Sequence, residues 1–318
     1  MIAERVLYEC YGFAVDCEVE PEARAVADRF FGAPLVERSG PLPPSPAARL
    51  RIAVNDSTAV AVEPPHTLEV IASNPITIDT GSSRAVVEPD AWSISLSLAR
   101  KDLDDPIVWG RWILERLFLY LICRSPRHYP LHAGAIAVEG QVALISAETG
   151  VGKSTFTWWA HRKGARLLGE DIMVRHLDDP AARFWGYPRA VYLSPELVAA
   201  SPELEGAASA AVDGGRKYRV EVGGPDGPPP PASPTCLVFL ARDEAAAAAA
   251  PGIRRLTPDE AVERSREDFA TAKHDETVLA SVATDLLASV AGLPIFELAL
   301  TSDLDASYEL LRSTLQTI

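Results

Sequence analysis

The stretch Ala147-Glu148-Thr149-Gly150-Val151-Gly152-Lys153-Ser154-Thr155 constrains this chain more than any other. It has the A/G-x-x-x-x-G-K-S/T form of a phosphate-binding loop. It follows an apolar, strand-like run, Val142-Ala143-Leu144-Ile145, and opens a helix-like segment, the context in which the motif is credible. Glycines let the backbone fold into a nest whose N–H groups face an anion, and the helix start adds a partial positive charge. Lys153 is expected to reach the outer phosphates and Ser154 to ligate magnesium, with Glu148, Thr149, Gly150, Val151, Gly152 and Thr155 completing the cradle. The bland alternative, a glycine-rich turn before an ordinary helix, leaves the Lys-Ser pair and the strand–loop–helix order unexplained.

A chain of 318 residues suggests two domains and buries a substantial core without staples. The formal charge of −14 argues against nucleic acid as the main partner and against an anionic membrane surface. Cys10, Cys17, Cys123 and Cys236 are scattered, with no C-x-x-C pair and no zinc spacing; free thiols in a reducing cytoplasm are the expectation. The charged start Met1-Ile2-Ala3-Glu4-Arg5 lacks a signal-peptide core. The apolar run Ile107 to Cys123, interrupted by Arg111, Glu115 and Arg116, reads as a buried helix rather than a membrane span.

Residues 1–104 read as mainly β. Strands are expected at Leu50–Val54, Thr67–Ile71, Ile76–Asp79 and Trp92–Leu96, a short helix at Arg24–Phe31, and a loop at Pro41–Pro46. A helix opens at Asp105-Pro106 and ends at Ser125-Pro126. Ala133–Val138 and Gln141–Ser146 predict a β-hairpin turning on Glu139-Gly140. That register places His132 opposite Ala147. The helix after the loop is expected to run to Lys163 and stop at Gly164. Ile172–Val174 then predicts a strand beside the loop strand.

From Ser194 to Pro234 the chain is rich in Pro, Gly and Ala around one strand-like island, Arg216–Val220, expected to sit in a mobile lid or substrate loop. Leu237–Leu240 predicts a buried strand, and Ala245–Ala250 a surface loop or frayed helix. Thr257-Pro258-Asp259-Glu260 is a capping box. A helix over Glu276–Val290, a strand over Ile295–Leu300 and a final helix capped by Ser302 complete the layout.

Phosphoryl transfer needs neutralised charge, a held divalent ion and an aligned hydroxyl. Glu170 and Asp171, shortly after the loop helix, are the candidate carboxylates: Asp171 as general base, Glu170 on metal or behind it. Adjacent strand residues point to opposite faces, so both serve one site only where the backbone bulges. His132 is placed to bond a phosphate or to orient Asp171. Arg189, Lys217 and Arg219 are candidate phosphate or substrate contacts, with exposed surface cations as the competing reading. Trp158 and Trp159 read as core rather than base-stacking groups.

Leu131-His132-Ala133-Gly134, the loop ending Gly152-Lys153-Ser154-Thr155, and Gly164-Ala165-Arg166-Leu167-Leu168 with its acidic pair together resemble the HPr kinase/phosphorylase family. The Gly186-Tyr187-Pro188-Arg189 segment is similar to the family's divergent branch, which includes kinases of lasso-peptide precursors. The family's Leu-Glu-Ile-Arg-Gly-Leu-Gly-like signature is missing. The resemblance implies an α/β fold, with a P-loop HPr-kinase-like domain over 105–318 and a β-rich accessory or peptide-recruiting domain over 1–104. It implies catalysis by His132 and Asp171, with Glu170 replacing the family's first aspartate. The function to expect is ATP- and Mg²⁺-dependent transfer to a hydroxyl, Ser foremost, of a peptide or small protein. A nucleotide-binding regulatory module with slow hydrolysis and a small-metabolite kinase stand as alternatives. ATP versus GTP, reverse phosphorylase activity and homo-oligomerisation stay open at this level.

Overall fold

The computed structural model describes residues 2–32, 34–35, 45–64, 70, 73–148, 150–186, 190–204, 208–212, 217–221, 230–242, 251–257, 259–261, 264 and 292–318. The fold is mixed α/β with several sheets. It divides into two compact units, Met1–Ser125 in the first and Pro126–Val222 with Pro229–Ile318 in the second. The chain first passes from one to the other at Ser125–Pro126.

The first unit is a six-stranded sheet in the order β1-β2-β3-β6-β5-β4. Its strands are β1 (Glu4–Cys10), β2 (Phe13–Val19), β3 (Ser45–Asn55), β4 (Ile76–Asp79), β5 (Arg84–Glu88) and β6 (Ser93–Ala99). Tyr11 and Gly12, both at positive φ, close the β1–β2 hairpin; that backbone twist matches the twist of the strands it joins. Helix α1 (Arg24–Phe31) is the crossover to β3, which runs parallel to both β2 and β6. β3 begins at Ser45, inside the proline run; Pro41–Pro44 lie outside the described residues, as does the expected strand at Thr67–Ile71 but for Val70.

The apolar helix opens as expected, with Asp105 Oδ1 accepting from the amides of Ile107 (2.9 Å) and Val108 (3.3 Å). Ile107–Leu114 runs in wide π-type turns and continues as α2 (Glu115–Arg124). Phe118 of α2 sits 5.5–6.0 Å from the rings of Phe13, Phe30 and Phe31, which seals this unit's core.

In the second unit, β7 (His128–Leu131) leads to the hairpin of β8 (Ala133–Val138) and β9 (Gln141–Ser146). The register is the expected one, from Val138↔Gln141 to Ala133↔Ser146, and the turn residues Glu139 (φ 51°) and Gly140 (φ 88°) are both left-handed. β9 hands the chain to helix α3 (Lys153–Arg162), which stops at Gly164 (φ 98°). β10 (Arg166–Gly169), β11 (Met173–His176), β12 (Phe184–Gly186), β13 (Ala190–Leu193) and a short helix α4 (Pro195–Ala199) follow. Then come β14 (Ala208–Val212), β15 (Lys217–Glu221), β16 (Cys236–Arg242), β17 (Gly252–Arg255), β18 (Ile295–Leu300) and α5 (Leu304–Leu315).

The main sheet runs β10-β8-β9-β16-β18-β17, with β9, β16 and β18 parallel. Apart from Glu297 on β18, the central positions of these three strands are apolar on both faces, as a doubly covered sheet requires. Ile145, Val238, Leu240 and Leu298 pack with Phe156 of α3 and Tyr308 and Leu311 of α5. Leu144, Leu237 and Phe239 face the opposite way, toward Tyr129, Met173 and Phe184 of a second sheet, β12-β11-β7.

Three expectations are corrected here. β11 does not flank the loop strand: it pairs with β7 and β12, and the neighbours of β9 are β8 and β16. The Lys217–Glu221 segment is not an isolated island, since it is the central strand of a sheet ordered β13-β15-β14. The cap of α5 is Asp303, whose Oδ1 accepts from Ala306 N at 2.9 Å, rather than Ser302. The Thr257/Glu260 capping box is present, with Thr257 N donating to Glu260 (2.8 Å) and Glu260 N to Thr257 Oγ1 (3.3 Å). Ala245–Ala250 and Glu276–Val290 lie outside the described residues.

Candidate functional site

The strand–loop–helix order of the motif holds: β9 ends at Ser146 and α3 begins at Lys153. Gly150 (φ 91°) and Gly152 (φ 116°) occupy backbone conformations that other residues adopt only with strain. Gly152 stands at the cap position and brings no side chain to the helix end, so the opening amides of α3 keep their polarity for an incoming group. Thr157 Oγ1 donates to the carbonyl of Lys153 at 3.1 Å, bracing this first turn from within. Of the cradle residues, Thr149 lies outside the described residues.

Glu170 and Asp171 do not sit on a strand. β10 pairs with β8 through a register shift between Leu167 and Gly169, and the acidic pair occupies the bend before β11. That irregularity is what lets adjacent residues serve one site. Gly134 makes room for it: a Cβ there would lie 2.9 Å from both the Glu170 carbonyl oxygen and Thr157 Cγ2. The β8 backbone therefore presses directly against the bend on one side and α3 on the other.

Lys153 Nζ is buried and forms an ion pair with Asp171 Oδ1, with the Asp171 carbonyl at 3.4 Å. His132, in the step between β7 and β8, brings Nε2 to within 3.1 Å of the same Oδ1. The Asp171 side chain is 42% exposed, so the carboxylate held by these two groups still faces outward. Glu170 is buried and hydrogen-bonded to the Ser154 side chain. Of the candidate outer cations, the charge of Lys217 is felt at Glu170, whereas Arg219 is buried within its sheet and Arg189 lies outside the described residues.

The two neighbouring carboxyls are pushed in opposite directions. Burial, then the adjacent Asp171, raises Glu170 to about 7, against the pull of Lys153, Ser154 and Lys217. Desolvation of the half-buried Asp171 works to raise it too, but Lys153 and His132 outweigh it and hold the carboxyl well below its usual range. The two carboxyls are thus driven apart, Asp171 toward the ionised form and Glu170 toward the protonated one.

No cluster of three or more His, Cys, Asp or Glu side chains able to hold a metal occurs among the described residues. Ser154 and Glu170 nonetheless form a pair of oxygen donors beside the loop. Magnesium in phosphate sites takes one or two protein oxygens and fills its other positions from phosphate and water, so the pair fits that ion.

Trp158 is buried in the core and Trp159 donates to Asp305 Oδ1 at 2.8 Å, as structural groups do. One contact at the loop had no sequence signal. Arg264 Nη1 donates to Glu148 Oε1 at 3.3 Å, arriving from beyond β17.

No protein-family model matches the chain, and no curated protein sequence matches it. Among solved structures, the chain is similar to the Hpr(Ser) kinase/phosphatase from Coxiella burnetii, with 12% identity, 59% of this chain and 88% of that chain covered, and a TM-score of 0.25. A likeness at that score carries no argument, and the functional reading rests on the geometry around the loop. No described helix is long and apolar enough to cross a membrane.

Proposed function

We propose that the second unit is an ATP- and Mg²⁺-dependent kinase that phosphorylates a hydroxyl, Ser foremost, on a peptide or small protein. The observation that carries this reading is the shared oxygen of Asp171, held by Lys153 and His132 at the mouth of a glycine loop. Lys153 turns from Asp171 to the terminal phosphates as the nucleotide enters. That exchange frees Asp171 to accept the acceptor's proton while its hydroxyl oxygen bonds to the γ-phosphorus and the bond to the β-phosphate oxygen breaks. His132 keeps the Asp171 carboxylate aimed. Ser154 and Glu170 would hold the magnesium ion, which supplies positive charge to the phosphates. The −14 net charge suits a basic acceptor peptide.

Intact-mass analysis of candidate peptides after incubation with Mg-ATP tests this. A gain of one phosphate on a hydroxyl supports the kinase. Nucleotide loss with no modified peptide points to a hydrolysing regulatory module instead, and label on a small molecule points to a metabolite kinase.

A further inference from the structure

Arg264 stands at the mouth of the loop without belonging to any motif. Its guanidinium is held on two sides: Nη2 donates to Glu297 Oε2 at 2.8 Å, and Nη1 to Glu148 Oε1 at 3.3 Å. The two partners differ. The Glu297 side chain is 17% exposed and that of Glu148 is 63% exposed. Glu297 is itself fixed, because Arg254 of β17 donates to its other oxygen at 2.9 Å and to Glu260 of the capping box at 2.6 Å.

The register sets the level of this network. Ser146 pairs with Phe239, and Phe239 with Glu297, across the three parallel strands. Glu297 therefore lies level with the residue from which the loop departs. In parallel sheets, ligands bind beyond that end of the strands. Glu148 is an acidic side chain on an anion-binding loop, and left alone it would repel a polyphosphate.

We propose that Arg264 is a phosphate-contacting residue: Glu297 anchors it, Glu148 holds it in the empty protein, and the nucleotide's polyphosphate displaces Glu148. A guanidinium carries five N–H donors in a planar fork, so it can keep one carboxylate while turning another edge to a phosphate. A cation supplied in cis stabilises charge on the moving phosphoryl group. The inference rests on the proposal that the loop binds a nucleotide.

Calorimetric titration of the full chain with Mg-ATP, Mg-ADP and AMP separates the outcomes. Arg264→Ala is expected to weaken Mg-ATP about 10- to 100-fold and AMP far less, with Arg264→Lys in between. Glu148→Gln is expected to tighten Mg-ATP several-fold, because the competitor for Arg264 has gone. A residue that merely clamps the loop would make Arg264→Ala and Glu148→Gln weaken binding alike, and that result overturns the proposal. So does unchanged affinity in Arg264→Ala. Wild-type protein that binds neither Mg-ATP nor Mg-ADP instead sinks the nucleotide reading itself.

Discussion

Asp102 in the first unit and Glu170 in the second are equally buried, each at 4% exposure, yet they are handled in opposite ways. Asp102 Oδ2 accepts from the hydroxyls of Ser82 (2.6 Å) and Ser83 (2.9 Å), and Ser83 Oγ accepts in turn from Ala99 N. Every partner comes from the same corner of one sheet, and Lys101 completes the set from the surface. Glu170 feels the charge of its neighbour Asp171, while the buried Lys153 and the step residue His132 pull Asp171 toward the ionised form. Burial alone therefore does not separate the two carboxylates; competition among charges beside a loop of left-handed glycines does. Asp102 is the arrangement of a group that has finished its work once the chain has folded.

The most severe way to break this contrast is Asp171→Asn. With the base gone, transfer is expected to fall by about 1,000-fold or more. Mg-ATP affinity should hold or rise, because Lys153 no longer has to leave an ion pair to meet the phosphates. Quench-flow transfer rates and calorimetry on one preparation check both halves. Near-normal transfer would remove Asp171 from the chemistry and leave the second cluster looking like the first.

Next in size is the pH response of Glu170. Its carboxyl moves from an ordinary 4.5 to about 7 on folding, so the native state holds this proton more tightly than the unfolded chain does. The stability it contributes is fully present below about 4.5 and is lost as pH rises through about 7. Asp171 runs the other way, its contribution being lost only as pH falls through its depressed folded value. Glu170→Gln keeps the shape without the charge. It should match wild type near pH 4 and exceed it at pH 8 by on the order of 3 kcal/mol. Denaturant titrations of metal- and nucleotide-free protein across that range measure the difference; a flat offset would mean that burial does not hold the carboxyl up.

Asp102→Ala should show the converse signature. It strands two buried hydroxyls and is expected to cost about 2–3 kcal/mol of stability. Mg-ATP affinity per folded molecule should be unchanged, since the loop belongs to the other unit. A stability close to wild type would show that water replaces the carboxylate readily.

What the sequence disclosed was local. Glu139-Gly140 states its turn in two residues, Gly164 its helix stop, and Thr257/Glu260 its cap; the structure places each as the chemistry dictates. The loop motif, the hairpin register and the family resemblance pointed to Lys153, His132 and Asp171, and the structure brings these three side chains together. Pairing across distance was not legible. The apolar run Ile172–Val174 says strand but not which sheet, and the second sheet's choice of β11 follows from the layer formed by Tyr129, Met173 and Phe184. The Arg216–Val220 island looked solitary because its partners β13 and β14 carry no distinctive pattern. Arg264 reaches Glu148 across 116 positions, and no local periodicity encodes that contact. Ser302 and Asp303 are both good caps by type, and only the geometry separates them.

The smallest expected effect links the fold to the site most directly. Gly134 and Gly140 lie on the same hairpin, but a Cβ at Gly134 would strike the Glu170 carbonyl oxygen and Thr157, whereas one at Gly140 meets nothing within 4 Å. Gly140→Ala carries only the strain of a left-handed alanine, about 1 kcal/mol. Gly134→Ala must push the acidic bend away from α3, at about 1–3 kcal/mol. The stability losses thus overlap, and the separating readout is transfer: Gly134→Ala should slow it about 10- to 100-fold, since small displacements of catalytic groups are costly, while Gly140→Ala should leave it intact. Equal transfer rates in the two variants would mean that the bend tolerates movement. The tight approach of β8 to Glu170 would then belong with the Asp102 corner, as packing that shapes the fold and does not tune the chemistry.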